Sequence, residues 1–287
     1  MDSVLVLIAA PGSGAINTRV IEALRGLGGV PHWLSIGEAA DVNPFEGMQG
    51  FLEYLTTQPI DANLVPLANR RKKLLIADMD STMIHQECID ELGVMAGVGD
   101  RIKDITARAM RGELDFEGAL KERVGLLKGL DESVIAQLLR ERITFMEGGK
   151  TLLATMKANG AYAALVSGGF TAFTSHVAGA LGFDENRANS LLIESGKLNG
   201  KVAMPILGKE AKVESLKRIC AARAFSQDDV IAVGDGANDI PMLLEAGMGV
   251  ALHAKPKVQE AAPICINHGD LTALLYLQGY RKSEFVL

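Results

Sequence analysis

Three short apolar runs constrain this chain more than any other feature. Leu74-Leu75-Ile76-Ala77 ends in Asp78, residues 161–166 end in Ser167-Gly168-Gly169, and residues 230–233 end in Gly234-Asp235-Gly236. None alternates apolar with polar, so each reads as a strand buried on both faces, as in a parallel sheet covered by helices. Helical periodicity fills the intervals: 87–142 (punctuated by Gly112, Gly125 and Gly129), 172–181, 210–223 and 238–245. A further strand is expected at 248–252, and a hairpin where 191–194 and 201–204 flank Gly196 and Gly200. Repetition of strand, loop and helix implies an α/β fold with a doubly wound parallel sheet. The helical stretch at about 86–145 is inserted between the first two strands as a small cap. In such sheets ligands bind beyond the carboxyl ends of the strands. That rule selects the loops beginning at Asp78, Ser167 and Asp235.

The first 70 residues follow another pattern. Residues 4–10 read as a buried strand, 12–14 as a turn, 17–27 as a helix and 31–36 as a second strand. The acidic stretch 37–65 is broken by Pro44 and Pro59 and carries a helix at about 46–56. The expectation is a small α+β domain over 1–70, without a complete four-stranded signal, followed by a larger domain over 71–287.

Composition narrows the function classes. Only 5% of the 287 residues are aromatic, against 48% hydrophobic, which favours α/β layers over an all-β sandwich. The net charge of −6 lacks the basic stripe of a nucleic-acid binder. The one tight basic run, Arg70-Arg71-Lys72-Lys73, precedes an apolar strand and reads as its solvated entry. Cys88, Cys220 and Cys265 are widely spaced and odd in number, against a disulfide framework. The apolar stretch 4–10 is too short to span a membrane and lacks signal-peptide flanks. No membrane and no nucleic-acid partner is expected, and the reading is cytoplasmic.

The loops carry chemistry. Asp78 and Asp80 lie two residues apart just after a buried strand. A carboxylate can attack phosphorus, and a second can protonate the leaving alkoxide and later activate water. Carboxylates also suit magnesium, a hard cation that prefers oxygen. By itself Asp80-Ser81-Thr82 reads equally well as a helix cap. Ser167-Gly168-Gly169 offers a hydroxyl and open N–H groups to a phosphate, or forms a plain tight turn. Lys212, near a helix start, can neutralise phosphate charge or lie exposed. In Gly234-Asp235-Gly236-Ala237-Asn238-Asp239, Asp235 suits a metal, Asp239 can support it from behind, and Asn238 can bond a phosphate oxygen or cap the helix. Rival phosphate motifs fail: Gly149-Lys150-Thr151 has Thr144 where a P-loop needs glycine, and Gly12-Ser13-Gly14 is followed by Asn17 instead of a third glycine. His32, His85, His176, His253 and His268 show no zinc spacing, though His85 and His253 fall near the loops.

Taken in order, Asp78-Met79-Asp80-Ser81-Thr82, Ser167, Lys212 and the 234–239 loop resemble the haloacid dehalogenase superfamily over about 70–285. The cap segment sharpens the likeness. Glu87 could hold an ammonium and Arg123 could clamp a carboxylate. Met110 and Phe116 could form an apolar wall. Each also reads as an ordinary helix residue. Together with Ala254-Lys255-Pro256-Lys257 they resemble the bacterial phosphoserine phosphatase family. The resemblance implies a magnesium-dependent enzyme with phosphoserine as substrate, acting at the last step of serine synthesis. It implies Asp78 as nucleophile and Asp80 as general acid and base. It implies magnesium on Asp78, the Asp80 backbone carbonyl and Asp235, with Asp239 behind them. Ser167, Gly168, Lys212 and Asn238 would hold the phosphate, and Glu87, Met110, Phe116 and Arg123 the rest of the substrate. The β-α-β start resembles a reduced ACT-like domain, with a role in packing or in a homodimer. Two alternatives stay open: phosphoryl transfer to another alcohol such as homoserine, and a non-catalytic amino-acid sensor, against which the intact Asp78/Asp80 pair argues.

Overall fold

Burial on both faces is what the central strands display in the computed structural model, which describes residues 2–110 and 113–287, the Met110 side chain excepted. The elements of the first unit are β1 (Ser3–Ala9), α1 (Thr18–Gly26), β2 (Pro31–Ser35), β3 (Ala39–Val42), α2 (Met48–Leu55) and β4 (Ile60–Pro66). Then come β5 (Leu74–Ala77), four helices α3 (Cys88–Met95), α4 (Gly99–Met110), α5 (Phe116–Leu126) and α6 (Ser133–Glu141), and α7 (Gly149–Ala158). The chain continues through β6 (Tyr162–Phe170), α8 (Thr171–Leu181), β7 (Glu185–Asn189), the hairpin β8 (Leu191–Glu194) and β9 (Lys197–Val202), and α9 (Lys209–Arg223). It closes with β10 (Val230–Gly234), α10 (Ile240–Glu245), β11 (Met248–Leu252), α11 (Pro256–Ala261), β12 (Ile264–Ile266) and α12 (Ala273–Leu277).

Six strands form one parallel sheet in the order β12-β11-β10-β5-β6-β7. All four side chains of β5 are fully buried: Leu75 and Ala77 face one core layer, Leu74 and Ile76 the other. Burial of a Leu or Ile side chain contributes about 1.5–3 kcal/mol, so a polar residue inside these strands would be costly. The chain winds outward from β5 through β6 and β7, then returns to β10 on the other side of β5. The point of reversal therefore lies between β5 and β10, where a crevice opens at the carboxyl ends.

The N-terminal unit is more complete than its sequence suggests. It is a four-stranded antiparallel sheet in the order β2-β3-β1-β4, and two of its strands lie inside the irregular 37–65 stretch. Strand β4 was illegible because its polar residues point inward. Asp61 accepts backbone N–H bonds from Asn267, His268 and Gly269 at 2.8, 3.0 and 2.9 Å. The Asn63 amide donates to Cys265 O (2.9 Å) and accepts from Cys265 N (3.1 Å), pairing with β12 as a backbone would. Strand β1 is buried on both faces: Val4, Val6 and Ile8 join the large core, while Leu5, Leu7 and Ala9 lie with α1 and α2 residues such as Val20, Leu24 and Phe51. This unit is packed onto the parallel sheet.

The structure corrects other expectations. The basic run is not simply a solvated strand entry. Arg70 turns inward to Asp41 (2.6 and 2.7 Å) and to the carbonyls of Tyr276 and Leu277, and Lys72 is buried with Nζ on Asp228 O at 2.7 Å. Period-two alternation leaves only Arg71 and Lys73 outward. The second hairpin strand starts at Lys197 and runs through Gly200, where a Cβ would lie 2.9 Å from Lys128 Cβ. Strand β6 continues through Ser167-Gly168-Gly169, and α10 starts after Asp239. Among the described residues no helix is long and apolar enough to cross a membrane.

Asp61→Ala would leave three N–H groups without their acceptor. We expect a loss of about 1–3 kcal/mol in urea unfolding, the cost of the one fully buried donor left unsatisfied, the Gly269 N–H. A loss below about 0.5 kcal/mol, the range of ordinary surface changes, would show that this contact does not hold the two sheets together.

Candidate active site

Strand β5 delivers Asp78 into the crevice, and the Asp78 N–H still donates to Val233 O of β10 (3.0 Å). The chain then turns tightly. Met83 and Ile84 donate N–H bonds to Met79 O, and Ser81 takes a left-handed backbone (φ 55°) with its N–H on Gln86 O. That turn brings the start of the helical insertion against the loop. The Cys88 N–H, at the head of α3, donates to Asp80 Oδ1 (3.1 Å), and the Ser81 hydroxyl donates to Glu87 Oε1 (2.9 Å). Ser81 was not singled out in the sequence; its only signal was its place between Asp80 and Glu87.

The second loop comes from β10. A Cβ on Gly234 would fall 2.3 Å from Asp239 Cγ, so glycine is needed for Asp239 to fold back on the strand. Asp239 Oδ2 accepts the Gly236 N–H at 2.9 Å, and Asp239 Oδ1 takes a short contact from Lys212. Lys212, on the first turn of α9, also reaches Asp78 Oδ1 at 2.8 Å. It is 1% exposed, so the exposed alternative is excluded. The Thr82 hydroxyl, also buried, donates to Asp235 Oδ1 at 3.3 Å.

Oxygens of Asp78, Asp235 and Asp239 lie within 4.8 Å of one another, all buried. Lys212 lies on Asp78 and Asp239, and the exposed Lys255 ammonium lies 3.8 Å from Asp235 Oδ2, so three carboxylates face two ammonium groups and an excess of negative charge remains. Burial pulls the Lys212 ammonium toward neutrality, but Asp239 and Asp78 outweigh it and hold the proton on more tightly than usual. Burial and the Asp239 charge push Asp78 well above the usual carboxylate range, against the pull of Lys212. Burial and Asp239 likewise lift Asp235 to about 6. A crowded, buried set of oxygen donors fits a hard divalent cation, which would offset this negative charge. Asp80 stands apart from this cluster. Burial first, then the Glu87 charge, push it up to about 7. A carboxyl poised there can give and take a proton near neutrality.

The third loop is the end of β6. Ser167 is buried, and its hydroxyl accepts the Gly169 N–H at 2.9 Å. A Cβ on Gly169 would lie 2.7 Å from Asp80 Oδ2, and one on Gly168 would lie 3.1 Å from Phe116 Cζ. The ring of Phe116, at the head of α5, thus lies over the β6 end and near Gly208. Asn189, missed in the sequence, ties these loops. Its amide donates to Gly168 O and Leu207 O (2.9 and 3.2 Å) and accepts from Leu207 N (2.7 Å).

Arg123 lies seven residues after Phe116, on the same side of α5. Burial draws its guanidinium down, while the charges of Asp90 and Glu87 hold the proton on. The structure thus gathers Asp78, Asp80, Ser167, Gly168, Lys212, Asp235 and Asp239 at one end of the sheet, with Glu87 and Phe116 against them. Asn238 is half-buried in the turn before α10 and does not cap that helix. Met110 was expected in the apolar wall, but its side chain lies outside the described residues. His85 pairs with Glu147 (3.1 Å), and His253 donates its backbone N–H to Ile266 O.

Such a site, on a doubly wound sheet with a helical insertion after the first strand, defines a class. The chain belongs to the haloacid dehalogenase-like hydrolases, whose family model matches residues 75–244. Over 204 residues it is 46% identical to the phosphoserine phosphatase of Haemophilus influenzae, a match covering 71% of this chain and 65% of that protein's length. It is similar to the structure of a probable phosphoserine phosphatase from Vibrio cholerae in unliganded form (TM-score 0.81, 31% identity, 98% of this chain and 88% of that one). It is also similar to a substrate-bound phosphoserine phosphatase complex (TM-score 0.67, 41% identity, 72% of this chain and 98% of that one).

If Asp78 and Asp235, with Asp239 behind them, hold a divalent cation, adding one should stabilise the fold. We expect a gain of about 2.7 kcal/mol at a concentration near 100 times Kd, seen as a rise in Tm that a chelator reverses. Asp235→Asn should abolish that rise. A Tm insensitive to magnesium, manganese and calcium would argue against the site.

Proposed function

We propose that the protein hydrolyses O-phospho-L-serine to L-serine and phosphate through an aspartyl phosphate on Asp78. The observation that carries the reading is the buried contact of Asp78 with Lys212, beside an Asp80 poised near neutrality. Magnesium, held by Asp78, the Asp80 backbone carbonyl and Asp235, would supply positive charge against the phosphate oxygens. Lys212 orients Asp78 and adds its own charge to the phosphate. The Ser167 hydroxyl, the Gly168 N–H and the Asn238 amide take further phosphate oxygens. Attack on an anion by an anion requires this compensation.

In the first step the free Asp78 carboxylate oxygen attacks phosphorus. The bond from phosphorus to the serine oxygen breaks, and Asp80 passes its proton to that oxygen. In the second step Asp80, now a carboxylate, takes a proton from water. The water oxygen attacks phosphorus, releasing phosphate and the Asp78 carboxylate. The pocket's outer part reads the amino acid: Glu87, held by Ser81, faces the ammonium and Arg123 the carboxylate, with Phe116 in the apolar wall. On this reading the reaction is the last step of serine synthesis, and the enzyme works in the cytoplasm.

Phosphate release from L-phosphoserine tests the reading. Asp78→Asn should lose activity on the order of 10³-fold or more. Arg123→Ala should lose phosphoserine turnover by about 10²-fold in kcat/KM while p-nitrophenyl phosphate changes little. A wild type that cleaves p-nitrophenyl phosphate and ignores phosphoserine would keep the nucleophile and overturn the substrate.

The acid role of Asp80 has a pH signature. Its raised pKa means the proton is present below about pH 7 and lost as pH rises through that value. For phosphoserine, kcat/KM should therefore fall on the alkaline side. For p-nitrophenyl phosphate, whose leaving group needs no proton, that limb should be absent. Identical alkaline limbs for both substrates would remove Asp80 from the acid role.

A further inference from the structure

Half-buried in the insertion, Arg123 is fastened at two points. Its Nε–H donates to Ala119 O, one turn back on α5, at 3.2 Å. Its Nη1 donates to the Thr106 hydroxyl oxygen, across on α4, at 3.3 Å. That hydroxyl is committed in a fixed sense: it donates its one proton to Ile102 O at 3.1 Å, the turn before it on its own helix. A guanidinium has no acceptor, so the hydroxyl can only present its lone pair to Arg123. The chain of bonds therefore runs one way, from Arg123 to Thr106 to the α4 backbone.

Among the described residues Arg123 makes no salt bridge, although Asp90 and Glu87 are near enough for their charges to act on it. A partly buried cation normally takes an anionic partner. With Nε and one Nη1 proton occupied, the second Nη1 proton and both on Nη2 remain, which suffices for a two-point grip on a carboxylate. A free arginine side chain would lose rotamer freedom on making that grip; one already fixed loses less.

We infer that Thr106 is a positioning residue for substrate recognition, its hydroxyl holding the Arg123 fork in the orientation that receives the substrate carboxylate. The inference rests on the proposed reading of Arg123 as the carboxylate clamp. Thr106 touches no substrate atom in this scheme, so removing its hydroxyl weakens binding of carboxylate-bearing substrates only.

The test compares Thr106→Val, Thr106→Ser and Arg123→Ala on L-phosphoserine and on two substrates without a carboxylate, O-phosphoethanolamine and p-nitrophenyl phosphate. Thr106→Val is expected to raise KM for phosphoserine about fivefold to tenfold, the usual effect of one charge-assisted hydrogen bond, with kcat within about twofold. The two other substrates report folding and chemistry, and their kcat/KM should change less than about twofold by comparison. Thr106→Ser keeps the hydroxyl and should restore KM. If Thr106→Val weakens all three substrates in proportion, or none, while Arg123→Ala discriminates against phosphoserine, the positioning role is overturned and the clamp stands. If Arg123→Ala does not discriminate, the clamp and the positioning role fall together.

Discussion

One ammonium buried between two carboxylates organises this molecule. Lys212 reaches Asp78 at the end of β5 and Asp239 beyond the end of β10, so it joins the two strands that flank the reversal point of the sheet. Desolvating such a group costs several kcal/mol and is tolerable only with close anionic partners. A third carboxylate, Asp235, has only the exposed Lys255 at 3.8 Å, and the residual negative charge makes the site a receiver of positive charge. The loop glycines serve this arrangement: Gly234 admits Asp239 against the strand, and Gly169 leaves room for Asp80.

The insertion completes the site by short-range contacts. The Cys88 N–H fixes one oxygen of Asp80, Ser81 fixes Glu87, and Phe116 lies across the Gly168 backbone. Asp80 is therefore held partly by the insertion and partly by the parent sheet. Glu87 contributes twice: its charge helps lift Asp80 toward neutrality, and it stands near Arg123 with the opposite sign. Charges of both signs in the insertion are what the proposed phosphorylated amino acid would require.

The N-terminal sheet is held by apolar packing of Val4, Val6 and Ile8 and by polar contacts. Asp61, Asn63 and Arg70 bind backbone groups of residues 265–269 and 276–277, which lie on and after the last strand of the parallel sheet. Strand β12 is an edge, and Asn63 supplies the donor and acceptor that a neighbouring strand would have supplied. This unit therefore protects one edge of the catalytic sheet.

The sequence by itself determined the four inner strands of the parallel sheet, β5, β6, β10 and β11, and the residues at their ends, but not the edge strands β7 and β12. Leu74 to Ala77 can be stable only when covered on both faces, and Asp78 must then emerge at the rim. It could not determine strands whose polar residues are satisfied at a distance. Strand β4 escaped notice because Asp61 and Asn63 violate apolar patterning, and their partners lie about 200 residues away. The same holds for Lys212, which reads as one exposed lysine among many until α9 packs it against two other loops, and for Asn189 and Thr106, whose roles exist only through the groups they bond. Local pattern fixes what must be buried; which buried polar group meets which is decided by tertiary packing, because a hydrogen bond depends on the position of both ends.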